Sequence, residues 1–146
     1  MSIEDDVALL ERVPTLRLLG NTALRMLAIG SEQRDFARGD RLFNAGDDAD
    51  AGYIVQRGAF RVEDGGAEII AGPGALIGEL ALIVAMRRPS TAIAIEHSTV
   101  LRVARSLFQR VLESDPAAAR RLRDELATRT SQLASDILMA GAKLSI

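Results

Sequence analysis

The sequence predicts a mostly β domain flanked by helices at both ends of the chain. Three observations carry this. Residues 4–37 and 105–146 repeat apolar side chains at the three- and four-residue spacing of helices. Between them, short apolar runs alternate with Gly, Asp and Pro, as in a β sandwich or barrel. The chain is 146 residues long, 48% hydrophobic and 26% charged, which suits one globular domain over 1–146. Its expected parts are N-terminal helices over 1–37, a β unit over 38–104 and C-terminal helices over 105–146.

Each element has a local reason. Val7, Leu10, Leu16, Leu19, Leu24, Leu27 and Ile29 mark the first helical segment, broken at Pro14 and at Gly20-Asn21. Asn21 is the expected N-cap of the helix that carries Leu24 and Leu27. Tyr53-Ile54-Val55, Phe60-Arg61-Val62, Glu68-Ile69-Ile70, Ala92-Ile93-Ala94-Ile95 and Val100-Leu101-Arg102-Val103 read as strands. Asp64-Gly65-Gly66 is a hairpin turn between two of them. Gly39-Asp40, Gly46-Asp47-Asp48, Gly58 and Gly72-Pro73-Gly74 supply further turns. Ser106 and Gln109 have capping-box spacing, so a short helix should start there and stop near Glu113-Ser114. Asp115-Pro116 then restarts a long helix, with Asp as N-cap and Pro at its first position. Its apolar stripe is Leu122, Leu126, Leu133, Ile137 and Leu144.

Composition removes several classes of function. There is no cysteine, hence no disulfide framework, zinc–cysteine site or thiol nucleophile. No apolar run approaches the ~18 residues of a membrane span. The acidic start, Met1 to Asp6, is unlike a signal peptide, so a cytoplasmic protein is expected. A net charge of −2 gives no basic footprint for nucleic acid. Arg120, Arg121 and Arg123 are followed at once by Asp124 and Glu125 and read as a solvated helix face. His97 is the single histidine and lies in a turn, without the oriented partner a triad needs. No P-loop or dinucleotide fingerprint is present. Asp47, Asp48 and Asp50 lack the glutamate that would complete a calcium loop. The expectation is a binding protein rather than an enzyme, with no cofactor, metal, nucleic acid or membrane partner.

The informative stretch runs from Gly78 to Ala92. A glycine after an apolar strand lets the backbone turn and a ligand approach closely. Main-chain N–H groups among the small residues behind it can bind an anion. Arg88, nine residues beyond Glu79, could close over the same anion through charge-assisted hydrogen bonds. Glu79 would repel a bare phosphate but would accept from a neighbouring hydroxyl. A ligand carrying both a phosphate and a sugar hydroxyl fits that pair. The same residues would also suit a surface turn closed by a Glu–Arg ion pair.

Gly78-Glu79-Leu80-Ala81-Leu82, then Arg88, then Thr91, closely resembles the phosphate-binding cassette of the cyclic nucleotide-binding domain family. That family includes catabolite-activator-type regulators, protein kinase A regulatory subunits and cyclic-nucleotide-gated channels. The resemblance covers nearly the whole chain: helices from Leu10, turns at Gly39-Asp40, Gly46-Asp47 and Gly58, the strand Tyr53-Ile54-Val55, Gly72-Pro73-Gly74, and two C-terminal helices. It implies an eight-stranded jelly-roll-like β-barrel with an N-terminal helical segment and two C-terminal helices. It also implies that Glu79 accepts from the ribose 2′-hydroxyl and that Arg88 pairs with the cyclic phosphate. The N–H groups of Leu80 and Ala81 would face that phosphate, with Gly78 allowing the approach. Val62 matches a strand position packed against the base. Arg129 matches a position where some bacterial members place an arginine against the base. Arg129 also interrupts the apolar stripe, so it either stacks on the base or snorkels to solvent. Pro89 departs from the family's small residue and has no N–H to offer the phosphate; Ser90 could offset that loss. Arg87 replaces a proline often found there and reads as exposed.

The resemblance therefore implies a cytoplasmic receptor for cyclic AMP, with cyclic GMP as the alternative ligand, acting through its C-terminal helix on a downstream protein, with a homodimer as one form it could take. Met1 and the untagged ends point to a free-standing chain. The alternatives are the effector domain of a truncated transcription regulator and an interaction or dimerisation module that keeps the fold without the ligand.

Overall fold

The structure, a computed structural model, describes residues 2–64 and 66–128. The chain opens with three helices, α1 (Ile3–Glu11), α2 (Pro14–Arg17) and α3 (Asn21–Gly30). Ser2 and Asp5 cap α1 reciprocally: the Ser2 hydroxyl accepts from the Asp5 N–H at 3.1 Å, and the Asp5 carboxylate accepts from the Ser2 N–H at 3.4 Å. Pro14 occupies the first turn of α2, where its missing N–H costs nothing. The expected Asn21 cap is not formed. Asn21 is already helical, and Gly20 turns the chain at φ +87°, its carbonyl accepting from the Leu24 N–H.

Ten strands follow among the described residues: β1 (Glu32–Phe36), β2 (Arg41–Phe43), β3 (Asp48–Ala49), β4 (Ala51–Arg57), β5 (Phe60–Asp64), β6 (Ala67–Ala71), β7 (Leu76–Ile77), β8 (Met86–Arg87), β9 (Ala92–Ala94) and β10 (Ser98–Ala104). One four-stranded sheet has the order β1-β10-β4-β7, a second has β2-β9-β5-β6, and β3 pairs with β8 in a separate ladder. All these pairings are antiparallel. The eight strands of the two sheets form the expected jelly-roll-like body; the short ladder is an addition to it. β5 and β6 form the expected hairpin, with Asp64 opposite Ala67.

The N-terminal boundary needs correction. Residues 32–36 are strand β1, not helix, and run antiparallel to β10 from Glu32↔Arg102 to Phe36↔Ser98. β1 is an edge strand whose side chains at 32–35 are exposed, so it carries no apolar alternation that would reveal it.

Two hydrophobic clusters hold the domain together. One joins α1 and α3 to α4 (Arg105–Ser114), the helix 116–128 and the inner residues Ile54, Leu82 and Val103. The other lies between the sheets around Phe60, Val55, Val100 and Tyr53. Helix α4 starts one residue before Ser106, with Ala104 as N-cap and no side-chain cap, so the expected Ser106–Gln109 box is absent. The reason is that β10 runs directly into α4 and the Arg105 N–H is taken by the Asp50 carbonyl at 2.8 Å. Asp115 does cap the next helix, accepting from the Ala118 N–H at 3.1 Å. Leu122 is buried and Leu126 packs beside it. Arg129, Leu133, Ile137 and Leu144 lie outside the described residues.

The expected solvated face of helix 116–128 is also corrected in part. Arg121, though exposed, donates from Nε to the Leu18 carbonyl at 2.7 Å and from Nη2 to the Leu19 carbonyl at 2.8 Å. It thereby satisfies carbonyls at the C-terminal end of α2.

The turn at Gly58 has φ +79°, and a Cβ there would strike Ser98 Oγ and the His97 carbonyl. Gly39 has φ +91° but open space around it. Gly58→Ala should destabilise the domain by about 2–4 kcal/mol in chemical denaturation, whereas Gly39→Ala should cost about 1 kcal/mol, the backbone strain alone. Equal losses would show that the contact with Ser98 is not what fixes this turn.

Candidate functional site

A cavity of about 440 Å³ opens between the β5–β6 hairpin and the segment after β7. Val62, Ile69 and Ile70 line one side, while Gly78, Glu79, Leu80, Ala81, Arg88, Pro89 and Ser90 line the other. Every site residue expected from the sequence is thus on this cavity, except Arg129, which lies outside the described residues.

Gly78 begins the segment in the left-handed conformation, φ 79° and ψ 41°. A Cβ there would sit 2.5 Å from Arg88 Nη1, so only glycine leaves the guanidinium its place. Glu79–Leu82 then form a single 3-10 turn. The Ala81 N–H closes that turn on the Gly78 carbonyl at 3.1 Å, so this donor is engaged within the turn rather than held open. The turn is pinned from below by Arg105, whose Nη1 donates to the carbonyls of Ala49 (2.8 Å), Ala81 (3.2 Å) and Val84 (3.2 Å).

Arg88 is the centre of the site. It is 4% exposed, and none of the ion pairs among the described residues includes it. Its Nη2 donates to the Ala51 carbonyl at 2.8 Å. Its guanidinium carbon lies 4.2 Å from the Phe43 ring centroid and 5.5 Å from that of Tyr53. Its Nε is buried without a hydrogen-bond partner. Burial pushes its pKa below the usual arginine value, with Tyr53 and then Asp50 opposing that shift. Asp50 is itself paired to Arg102 at 3.1 Å. The cation is therefore held by π faces, the Tyr53 side chain and one carbonyl, with no carboxylate in direct contact among the described residues.

The backbone fixes where this side chain starts. The Arg88 N–H donates to the Asp47 carbonyl at 2.7 Å, and its carbonyl accepts from the Gly46 N–H at 2.8 Å. The β3–β8 ladder, Asp48↔Arg87 and Ala49↔Met86, clamps the preceding residues. Arg87 takes a different course: it is exposed and donates to the Gly46 carbonyl at 3.1 Å. Thr91 is also structural, its hydroxyl accepting from the Ala45 N–H at 2.9 Å.

Glu79 is half-buried and accepts from the Thr15 hydroxyl at 2.6 Å. The site thus sets a carboxylate and a buried cation on the same cavity wall. Sequence reading did not find Thr15, Phe43 or Tyr53. The chain has only four Phe and one Tyr, and two of these five rings face one guanidinium. That scarcity was a usable signal for the rings; Thr15 offered none.

A buried cation without a counter-ion costs the fold stability. Arg88→Met, of similar length and apolar, should leave the Tm of the ligand-free protein unchanged or raise it. A drop equivalent to more than about 2 kcal/mol would show that Arg88 is held for stability rather than for a ligand.

The family profile described as Cyclic nucleotide-binding domain matches residues 33–115, more than half of the chain. The N-terminal domain of a transcriptional regulator from Streptomyces coelicolor A3(2) is similar in structure: TM-score 0.80, 28% identity, covering 88% of this chain and 94% of that one. A cyclic nucleotide-binding-like protein from Brucella abortus is 35% identical with TM-score 0.65, covering 75% and 98%. Among curated proteins, an uncharacterized NTE family protein of Mycobacterium bovis is 31% identical over 133 residues, 84% of this chain and 23% of that protein. The cAMP-dependent protein kinase regulatory subunit of Yarrowia lipolytica is 29% identical over 116 residues, 77% of this chain and 31% of that protein. The chain spans less than half the length of the curated relatives it matches. With the cassette residues gathered on one cavity and the family profile covering the β unit, this chain belongs to the cyclic nucleotide-binding domain family.

Proposed function

We propose that this domain is a receptor that binds cyclic AMP in the 440 Å³ cavity and carries out no catalysis of its own. The observation that carries the reading is Arg88: a buried guanidinium with no carboxylate partner, on the same wall as Glu79. A cyclic phosphate brings one negative charge and two exocyclic oxygens. It would neutralise Arg88 and satisfy the Nε that lacks an acceptor. The ribose 2′-hydroxyl, free in a 3′,5′-cyclic nucleotide, would donate to Glu79. Val62, Ile69 and Ile70 offer an apolar wall for the base.

Pro89 has no N–H for the phosphate and no hydroxyl for guanine, while Ser90 lines the same cavity. This favours cyclic AMP over cyclic GMP. Relay to a downstream partner would run through the C-terminal helix, which the ligand can bias only by contacting one of its positions better than another. Regulators and a kinase regulatory subunit among the similar proteins are consistent with such a sensing role.

Isothermal titration with cyclic AMP and, separately, cyclic GMP tests the reading. The expected result is micromolar or tighter binding, stronger for cyclic AMP. Arg88→Ala should weaken it by about thirtyfold or more, corresponding to ~2–5 kcal/mol, and Arg87→Ala far less. Folded, nucleotide-free protein that releases no heat with either ligand would replace the receptor with an interaction module of the same fold.

A further inference from the structure

Thr15 stands apart from the cassette in sequence, 64 residues before Glu79, yet its hydroxyl donates to Glu79 Oε1 at 2.6 Å. Thr15 is 7% exposed and sits in α2, a helix of only four residues. A short helix has little rigidity of its own, and this one is held at both ends. At its start the Arg17 N–H reaches the Val13 carbonyl at 2.9 Å, and Pro14 fixes the first turn. At its far end Arg121, from helix 116–128, donates to the carbonyls of Leu18 and Leu19. Beside it, Leu16 and Leu19 are fully buried in the helical core. The hydroxyl of Thr15 is therefore delivered to the carboxylate from a fixed platform.

The carboxylate it reaches belongs to Glu79. It stands at the first position of a 3-10 turn that follows a left-handed glycine, and its side chain has three rotatable bonds. A carboxylate has about four acceptor sites on its two oxygens. The bond from Thr15 takes one of these sites and restricts the side chain's rotamers. A ligand that finds Glu79 already oriented loses less entropy on binding.

We propose that Thr15 is a positioning residue for the sugar subsite: it orients Glu79 for the ribose 2′-hydroxyl and ties that contact, through α2 and Arg121, to helix 116–128. The inference rests on the cyclic nucleotide reading above. It predicts a selectivity that a purely structural threonine would not produce, because only ligands with the 2′-hydroxyl use the oriented carboxylate.

The test is Thr15→Val, nearly the same shape without the donor, titrated with cyclic AMP and with 2′-deoxy cyclic AMP. The expected result is a roughly tenfold loss of affinity for cyclic AMP, little change for the 2′-deoxy analogue, and recovery in Thr15→Ser, which keeps the hydroxyl. Equal losses for both ligands, or no loss for either, would overturn the proposal while leaving the receptor reading intact. Wild-type protein that binds neither ligand would overturn the receptor reading and this inference with it. Should Thr15→Val fail to fold, Thr15→Ala carries the same comparison.

Discussion

The structure turns on one buried cation. Arg88 is enclosed by Phe43, Tyr53 and the Ala51 carbonyl, with its Nε unpartnered. In a low-dielectric interior a charge in this condition is expensive unless something pairs with it. Much of the surrounding architecture serves to keep it there. Gly78 is left-handed and bare so that the guanidinium fits beside it. The β3–β8 ladder and the Gly46 and Asp47 hydrogen bonds set the direction from which the side chain enters. Asp50, the nearby carboxylate that acts on it, is engaged by Arg102. A site that keeps its cation underpaired is poised for an anionic ligand.

The second constraint is mechanical. The 3-10 turn behind Gly78 has few hydrogen bonds of its own and takes its position from distant parts of the chain. Arg105 holds it from the start of α4, and Thr15 holds Glu79 from α2. Arg121 in turn fastens α2 to helix 116–128. The cassette, α2, α4 and helix 116–128 are therefore joined by hydrogen bonds that run back from Glu79 and its turn. A sensor requires that its site and its helices be physically connected, and these hydrogen bonds are such a connection.

Much of this was legible in the sequence, for reasons that differ by element. The strands around Tyr53, Phe60 and Val100 are buried and apolar, so their runs stand out. The cassette was legible because its glycine, carboxylate and arginine are close in sequence and each has a chemical reason to be there. β1 was missed because an exposed edge strand such as Glu32–Phe36 needs no apolar period. Ser106 had the right spacing for a cap, but the backbone entering from β10 decided the helix start instead. Arg121 read as one of several surface charges, since nothing local announces that α2 lies beneath it. Thr15 was invisible for the same reason: its partner is 64 residues away, and a threonine in a short helix carries no distinctive pattern. Contacts that join remote segments are set by the fold, and local spacing does not encode them.

The most direct measurement is a crystal structure of the protein grown with cyclic AMP. The account predicts the cyclic phosphate within hydrogen-bond distance of the Arg88 guanidinium and the ribose 2′-hydroxyl on Glu79. A phosphate held by Arg87, or a nucleotide bound away from this cavity with Arg88 still against the Ala51 carbonyl, would contradict it.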